Sequence, residues 1–398
     1  MSDCVTTATA AGPAGASASA GAWWAVLSMA LGVFGLVTAE FLPASLLTPM
    51  AADLGVTEGL AGQAVTATAA VGLVTSLVIA AATRRLDRRY VLLGFTGLLV
   101  ASNLLVAVAP DLGLLIAARV LLGVALGGFW TMSAATVMRL VPEAMVPKAL
   151  SMVFAGVSAA TVAAAPLGSF LGDLLGWRMV FLMAAGLGLL AFMVQFATLP
   201  RMAPTGTTRL GTLVLVLRRP RIGAGMIAVL LVFTGHFAVF TYLRPFLETV
   251  TGVGITGISA ILLGFGAANF VGTGLAGPLI ARNLKAVLLA MPVLMVALGL
   301  GLVWFGGSVA GDAAMLALWG MAFGAVPVAW STWLTRAVPD EAESAGGLIV
   351  AAIQLAIATG AAAGGLIFDA NGATGVILAA TLVLAMAALL IRARVSFA

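Results

Sequence analysis

The stretch EFLPASLLTP at residues 40–49 has a counterpart, HFAVFTYLRP, at residues 236–245, which places Glu40 opposite His236 and Pro49 opposite Pro245. The chain is 398 residues long, and an offset of 196 or 197 residues aligns further positions. These pairs are Gly123 and Gly320, Gly127 and Gly324, Arg139 and Arg336, Pro142 and Pro339, Gly168 and Gly364, and Asp173 and Asp369. An internal repeat in an apolar chain is typical of a transporter built from two similar bundles around a central site.

Hydrophobic residues make up 62% of the chain and charged residues 8%, whereas a soluble domain carries about 25% charged residues. The apolar stretches between the charge clusters have the length that crosses a bilayer as a helix, about 17–25 residues. Barrel strands are shorter and alternate polar with apolar side chains. The sequence therefore predicts an all-α integral membrane protein with twelve spans, at residues 23–50, 60–83, 90–109, 112–138, 149–172, 179–199, 222–247, 256–281, 286–306, 313–335, 345–368 and 374–391.

The spans divide into two pseudo-symmetric six-helix bundles, at residues 23–199 and 222–391, joined by a cytoplasmic linker at residues 200–221. Residues 1–22 are mostly Ala, Gly, Ser and Thr, which favours a disordered cytoplasmic tail over a signal peptide. Residues 392–398 form a second cytoplasmic tail. The single cysteine, Cys4, excludes an internal disulfide.

The basic residues predict the orientation, because Lys and Arg concentrate in cytoplasmic loops. With the N-terminus inside, 16 of the 19 basic residues are cytoplasmic. They are Arg84, Arg85, Arg88, Arg89, Arg139, Lys148, Arg201, Arg209, Arg218, Arg219, Arg221, Arg282, Lys285, Arg336, Arg392 and Arg394. Both termini are therefore expected in the cytoplasm. The net charge of +5 follows from this topology and indicates no nucleic-acid partner.

Three ionisable residues fall within predicted spans, namely Glu40, Arg119 and His236. Such a residue near the bilayer centre costs about 2.5–3.5 kcal/mol, so its presence indicates a function. Glu40 and Arg119 are expected at similar depths, and His236 is the repeat counterpart of Glu40. We predict that the three residues couple transport to protons. The alternatives are a structural Glu40–Arg119 pair, an Arg119 that binds backbone carbonyls, and a His236 that only packs.

Two tryptophans, Trp130 and Trp330, occupy corresponding helices at similar depth, with Ser133 and Ser331 beside them. Flat aromatic faces next to hydroxyl groups suit a planar polar ligand. Four amides could add hydrogen bonds, namely Gln63, Asn103, Asn269 and Gln354. We predict that these residues bind the substrate. The alternative for each tryptophan is packing between helices or a place in an interfacial aromatic belt.

Other residues are predicted to serve gating or packing. Arg244 lies near the outer end of span 7, where its side chain can reach water. Arg119, Gly123 and Gly127 share one face of span 4. Pro166 and Gly168 belong to a small-residue patch in span 5 that predicts a hinge or sliding surface.

These features resemble the major facilitator superfamily, and within it the twelve-helix drug:proton antiporter group. Residues 119–127 are similar to the group's helix-4 motif, and the resemblance implies that Arg119 takes part in proton coupling. Residues 164–172 (AAPLGSFLG) resemble a weakened helix-5 antiporter motif. The loop between spans 2 and 3 departs from the family pattern, because Arg84 replaces the expected Asp. Asp87, next to Arg88, is a possible substitute in the conformational latch.

Further strings resemble the branch of this group that exports purine ribonucleosides. They are EFLPASLLTPMAADLG (40–55), GGFWTMSAATVMRLVP (127–142), TYLRPFL (241–247) and WSTWLTR (330–336). The resemblance implies proton-driven export of inosine, guanosine and related base analogues across the bacterial inner membrane. We also expect a monomer with no cofactor and no metal.

Two rival functions remain open. The first is export of sugars or drugs on the same fold. The second, of another class, is an intramembrane enzyme or sensor. One His and one Cys cannot build the common metal or nucleophile sites, which argues against an enzyme. The internal loops are too short for an output domain, which argues against a sensor.

Overall fold

The computed structural model describes residues 20–142, 145–203, 219, 222–338 and 342–395. Within these ranges, ten helices are long and apolar enough to cross a membrane. Spans 1 to 7 are Ala20–Ser45, Glu58–Ala82, Arg88–Ala107, Leu112–Leu140, Val146–Leu175, Trp177–Thr198 and Ile222–Thr241, and span 10 is Val309–Ala337. Most of the predicted first tail, most of the predicted linker and residues 396–398 lie outside the described residues.

The two longest helices each contain two spans. Ile255–Phe305 has 51 residues and Ala342–Arg394 has 53, more than twice the roughly 20 residues of one crossing. The first is interrupted at Asn283, whose φ of −163° and ψ of 98° are not helical. The second is interrupted at Gly372, whose φ of 68° is the left-handed conformation that favours glycine. These breaks separate span 8 from span 9 and span 11 from span 12, so the helices provide twelve spanning segments.

Spans 1 and 7 end earlier than their apolar patterns predict. Span 1 stops at Ser45 and a short helix, Leu47–Leu54, follows; span 7 stops at Thr241 and is followed by Leu243–Thr249. Proline lacks an N–H group, and its ring clashes with the carbonyl four residues earlier. Pro49 therefore breaks the helix at Ser45, and Pro245 breaks it at Thr241. The matched prolines thus produce matched breaks in the two halves.

Side-chain caps fix the start of several spans. The Thr57 hydroxyl accepts a hydrogen bond from the Leu60 amide at 3.2 Å. Asp111 accepts one from Leu114 at 2.9 Å. Such caps satisfy amide groups that have no partner within the helix. They show why helices begin where short polar residues interrupt the apolar sequence.

The repeat is visible in how the helices pack. Gly123 and Gly127 of span 4 lie against the backbone of span 2 at Thr68 and Gly72. At the corresponding place in the second half, two glycines of span 10 lie against the backbone of span 8, namely Gly320 against Phe265 and Gly324 against Asn269. A side chain at any of these four glycines would collide with backbone atoms. Glycine therefore allows direct backbone contact between the same two helices in each bundle.

The two bundles meet through equivalent helix pairs. Span 2 packs against span 11, and span 5 packs against span 8. The repeat relates these two pairs, because spans 2 and 5 correspond to spans 8 and 11. Spans 1 and 7 approach each other between them, where Phe41 contacts the rings of Phe237 and Phe240. The interface between the bundles therefore has the pseudo-twofold symmetry that the repeat predicts.

Candidate functional site

Glu40 lies at the interface between the two bundles. Its side chain is 8% exposed, and its Oε1 atom has no hydrogen-bond partner. The carboxyl group borders a cavity of about 10 Å³, which is about the space that one water molecule needs. Both bundles line this cavity, the first with Phe41, Ala44 and Val65 and the second with Phe237, Phe240, Thr241 and Ile357. The carboxyl group is therefore enclosed in this conformation, at a place that separation of the bundles would open.

Arg119 is fully buried within the first bundle. Its Nε atom donates to the Thr68 hydroxyl at 3.1 Å, while Nη1 and Nη2 have no hydrogen-bond partner. Thr68 in turn donates to the carbonyl of Ala64 at 3.0 Å. Arg119 interacts electrostatically with Glu40 but forms no hydrogen bond with its Oε1 atom. A buried cation and a buried carboxyl group are thus neighbours with unsatisfied hydrogen-bonding capacity.

His236 lies in an aromatic cluster of the second bundle. Its ring stacks on Phe323 with a centroid distance of 3.3 Å, and its Nδ1 atom accepts a hydrogen bond from Trp319 at 3.2 Å. Phe237, Phe240 and Phe265 surround it further. Accepting this bond requires an unprotonated Nδ1 atom. The contacts of His236 are therefore those of a packing residue.

Arg244 connects the bundles at the end that we predict to face outward. Its Nη1 atom donates to the carbonyl of Ser45 at 2.6 Å, and its Nε atom donates to Glu248 at 2.7 Å. Glu248 also accepts a hydrogen bond from Thr48 at 2.5 Å. Pro49 leaves the Ser45 carbonyl without a helical partner, so the break in span 1 creates the acceptor. Ser45, Thr48, Arg244 and Glu248 are called the outer contact below.

A second cross-bundle contact lies at the same end. Asp369 of span 11 accepts hydrogen bonds from the Thr57 hydroxyl at 2.9 Å and from the Gly59 amide at 3.2 Å. A carboxylate at a helix N-terminus is favourable because the first amides have no helical partner. Asp369 therefore joins the second bundle to the start of span 2. The predicted outer end is closed by hydrogen bonds on two sides.

At the opposite end, a wide cleft separates span 5 from span 8. It has a volume of about 690 Å³ and is lined by Ser151, Phe154, Ala155, Ser158, Ala159, Val162 and Phe270. Span 8 closes the top of the cleft, where a side chain on Gly266 would lie 2.9 Å from the Cα atom of Val162. The bundles therefore touch at this level and part below it. The parted end is the one that we predict to be cytoplasmic.

The two predicted substrate tryptophans have different surroundings. Trp130 is half-buried and packs against Phe154, with ring centroids 5.8 Å apart. Trp330 is 1% exposed and packs against Trp333 at 5.4 Å. The Ser133 hydroxyl donates to the Phe129 carbonyl at 2.7 Å, whereas Ser331 is exposed. The structure thus places Trp130 behind Phe154, which lines the cleft, and places Trp330 in the core of the second bundle.

The predicted amides do not converge on one site. Gln63 donates to the Gly59 carbonyl at 3.4 Å, and Asn269 donates to the Gly320 carbonyl at 3.2 Å. Asn103 donates to the Leu99 carbonyl at 3.0 Å within the first bundle. Gln354 is 4% exposed, and its Nε2 atom has no hydrogen-bond partner. Of the four amide nitrogens, Nε2 of Gln354 is therefore the one that makes no hydrogen bond.

Comparison with known proteins identifies the family to which this chain belongs. The family model described as Major Facilitator Superfamily matches residues 29–361. The chain belongs to the major facilitator superfamily. It is 46% identical over 373 residues to the purine ribonucleoside efflux pump NepI of Escherichia coli K12, with 94% of each chain covered, and it matches the pump of the same name from Shigella flexneri equally well.

Solved structures agree with the fold of this major facilitator protein. The crystal structure of a D-xylose-proton symporter superposes with a TM-score of 0.74 at 19% sequence identity. A bacterial homologue of the human lysosomal transporter Spinster, in an inward-facing and unoccupied conformation, superposes with a TM-score of 0.75 at 14% identity. Each comparison covers 94% of this chain and 97% of the other. At these identities the similarity establishes the fold alone.

The residues predicted to serve gating or packing, apart from Arg244, make local contacts in this major facilitator protein. Asp87 accepts hydrogen bonds from the amide of Arg89 at 2.8 Å and from the amide of Met202 at 3.0 Å, and the Arg88 amide donates to the Met202 carbonyl at 3.0 Å. Asp87 thus caps span 3 and fastens the first residues after span 6. Pro166 is buried within span 5, and Gly168 lies against Ser45 of span 1.

Three residues of these sites, namely Phe154, Phe270 and Glu248, are not among those predicted from the sequence. Phe154 and Phe270 are single aromatic residues in apolar helices, where the sequence carries no sign of a cleft. Glu248 follows Arg244 by four residues, a spacing that places both on one helix face and could have revealed the pair. Within the described part of the chain, no three His, Cys, Asp or Glu side chains gather into a possible metal site.

Proposed function

We propose that this chain exports purine ribonucleosides such as inosine and guanosine from the bacterial cytoplasm in exchange for protons. The observation that carries the proposal is the 46% identity, over 94% of both chains, to a purine ribonucleoside efflux pump. The protein acts as a monomer in the inner membrane, with both termini in the cytoplasm. Exchange of this kind makes and breaks no covalent bond, so we assign the chain no enzymatic activity and no cofactor.

In our scheme the two bundles rock about the interface that contains Glu40. The conformation described above admits a nucleoside from the cytoplasm, because the bundles are parted at that end. Closing that end and breaking the outer contact would open the Glu40 cavity to the outside. Glu40 then takes up a proton, and the nucleoside leaves. Glu40 releases its proton inward during the return to the first conformation, before its cavity is enclosed again.

We assign proton coupling to Glu40 and Arg119 rather than to His236. The free donors of Arg119 favour the ionised form of a nearby carboxyl group, so Glu40 would bind a proton when the two groups move apart. The Nδ1 atom of His236 already accepts a hydrogen bond from Trp319, so this atom can bind a proton only if that bond breaks. We propose that His236 holds the Phe237–Phe240 side of the Glu40 cavity in place.

A simple energy balance supports exchange of one proton per nucleoside. One proton moving through about 100 mV provides about 2.3 kcal/mol. A tenfold concentration gradient of an uncharged nucleoside costs about 1.4 kcal/mol. One-for-one exchange therefore sustains about a fortyfold gradient without any difference in pH. This value is sufficient for export.

The proposal is tested by uptake of labelled inosine into everted membrane vesicles that contain the protein, with and without an imposed proton gradient. We expect accumulation that requires the gradient and that unlabelled guanosine inhibits. Inhibition by a sugar or by chloramphenicol, with none by guanosine, would instead support the rival exporter. Vesicles that accumulate no inosine under a gradient, with the protein present in the membrane, would contradict the proposal.

A further inference from the structure

The cleft between spans 5 and 8 is a groove, largely open on one side, that is large enough for a nucleoside. Its volume is about 690 Å³, within the range of about 300–1,000 Å³ that is usual for small-molecule sites. The cavity beside Glu40, at about 10 Å³, has space for a single water molecule. A substrate of nucleoside size therefore fits the cleft and does not fit beside Glu40 in this conformation.

The lining of the cleft combines aromatic faces with hydroxyl groups. Phe154 from the first bundle and Phe270 from the second both border it, and their side chains are 54% and 58% exposed. Ser151 and Ser158 add hydroxyl groups on the same face of span 5. Trp130 packs against Phe154 from span 4 at 5.8 Å and so supports its ring. This combination suits a ligand with one flat aromatic part and one hydroxylated part.

The position of the cleft suits a cargo that enters from the cytoplasm. Its closed end is the contact of Gly266 with Val162, and its lining continues along span 5 to Ser151, toward the predicted cytoplasmic end. Because Phe154 and Phe270 belong to different bundles, rotation of the bundles about the closed end changes their separation. A ring bound between them would contact both bundles at once.

We infer that Phe154 and Phe270 hold the purine ring of the cargo between the two bundles, with Ser151 and Ser158 on the ribose side. This inference rests on the proposed function and names the residues that select the substrate. It also replaces Trp330, which is buried in the second bundle, by Phe154 as the stacking surface. Trp130 becomes a positioning residue behind that surface.

The first test measures KM and kcat for proton-driven inosine uptake by everted vesicles. Stacking of a base on an aromatic side chain is usually worth about a tenfold change or more in affinity. Phe154→Ala and Phe270→Ala should each raise KM about tenfold with kcat changed less than twofold. Phe154→Trp should keep KM close to that of the original protein. Phe305→Ala is the control, because Phe305 is also exposed but does not border the cleft.

The outcomes separate this inference from the proposed function. If the unmodified protein takes up inosine and both alanine variants keep its KM, the inference is wrong and the proposed function stands. If the unmodified protein takes up no inosine, the proposed function fails, and the inference fails with it.

The second test does not depend on turnover. Cys4→Ser removes the only cysteine, and Ser158→Cys then places one thiol in the cleft. Inosine should slow labelling of this thiol by a maleimide in everted vesicles, and xylose should not. Labelling that inosine leaves unchanged would overturn the inference and would indicate that a lipid chain fills the cleft.

Discussion

Glu40 is buried at a position where a carboxyl group has an unfavourable free energy of insertion. The insertion cost near the bilayer centre is about 2.5–3.5 kcal/mol, and Oε1 has no hydrogen bond to offset it. An apolar residue would pack better between Phe41 and Phe237. The carboxyl group therefore contributes something other than stability, which is the basis for assigning it to proton exchange.

Replacing the carboxyl group by an amide should separate transport from its driving force. Glu40→Gln should abolish gradient-driven inosine accumulation in everted vesicles, because the side chain can no longer release a proton. Exchange of labelled for unlabelled inosine should continue, since the bundles can still move. Glu58→Gln, at the start of span 2, is the control and should leave both activities unchanged. Full gradient-driven accumulation by Glu40→Gln would remove Glu40 from the mechanism.

Charged residues within spans are easier to single out in the sequence than aromatic residues. Charges within spans are rare, so Glu40 and Arg119 are conspicuous. An aromatic residue in an apolar helix is not, because the sequence of such a helix has no polar face that reveals its rotation. The sequence therefore does not distinguish Trp330, which lies in the core, from Phe154, which borders the cleft.

Close helix packing in each bundle depends on glycine. Gly127→Ala should lower the free energy of unfolding by about 1–3 kcal/mol, the usual cost of overpacking, because its methyl group meets the backbone of Gly72. Gly94→Ala is a matched control, since no atom lies within 4 Å of its added carbon. Thermal unfolding of the detergent-purified proteins measures the difference. Equal melting temperatures for the two variants would show that span 4 can move away from span 2 at little cost.

The predicted outer end of the first bundle carries an ion pair that responds to pH. A hydrogen bond from Arg178, aided by Trp177, holds the pKa of Asp53 below its ordinary value of 3.8. A lowered pKa in the folded state contributes stability above the unfolded pKa, and this contribution disappears as pH falls through the folded pKa.

Asp53→Asn should therefore lower the melting temperature at pH 7 by about 1–2 °C, because exposed ion pairs are weak. The difference between this variant and the original protein should shrink at acidic pH, as Asp53 becomes protonated. Melting curves at pH 7 and at pH values below 3.8 measure this difference in melting temperature. A difference that grows on acidification would contradict this assignment.

For the elements as a whole, the apolar lengths predicted the number of spans, but not where spans 1 and 7 end. The sequence of span 1 remains apolar through Met50, so a hydropathy argument continues the helix. The end is set by a backbone clash from Pro49, which acts four residues earlier. The proline rule alone does not locate these breaks, because the helices continue through other prolines, namely Pro43, Pro166, Pro278, Pro292 and Pro327.

On the scale of the whole molecule, two sets of hydrogen bonds hold the predicted outer end closed. One is the outer contact, and the other joins Asp369 to the start of span 2. The sequence showed Arg244 as an isolated cation near a helix end. Its acceptor is a backbone carbonyl in the other bundle, which no pattern of residue types can reveal.

Loss of the Arg244 guanidinium should favour the outward-open conformation. A hydrogen bond from a charged group is worth about 1.5–3 kcal/mol, which corresponds to a population shift of about tenfold or more. In a Cys4→Ser background, Ala44→Cys places a thiol on the wall of the Glu40 cavity. Adding Arg244→Gln should speed labelling of this thiol in intact cells by an impermeant maleimide about tenfold.

Thr249→Ala is the control for this experiment, because the Thr249 hydroxyl bonds only to the Pro245 carbonyl in its own helix. It should leave the labelling rate unchanged. A rate that Arg244→Gln does not increase would mean that the Asp369 contact alone keeps the outer end closed.

The glycine contacts of Gly123, Gly127, Gly320 and Gly324 also determine what a spectroscopist would see during turnover. Two dyes attached to spans 2 and 4, or to spans 8 and 10, should keep one constant energy-transfer efficiency throughout the cycle, because the backbones of each pair are in direct contact at these glycines. A donor and an acceptor on opposite halves should switch between two efficiencies, and the dwell times of that switching would give the opening and closing rates directly.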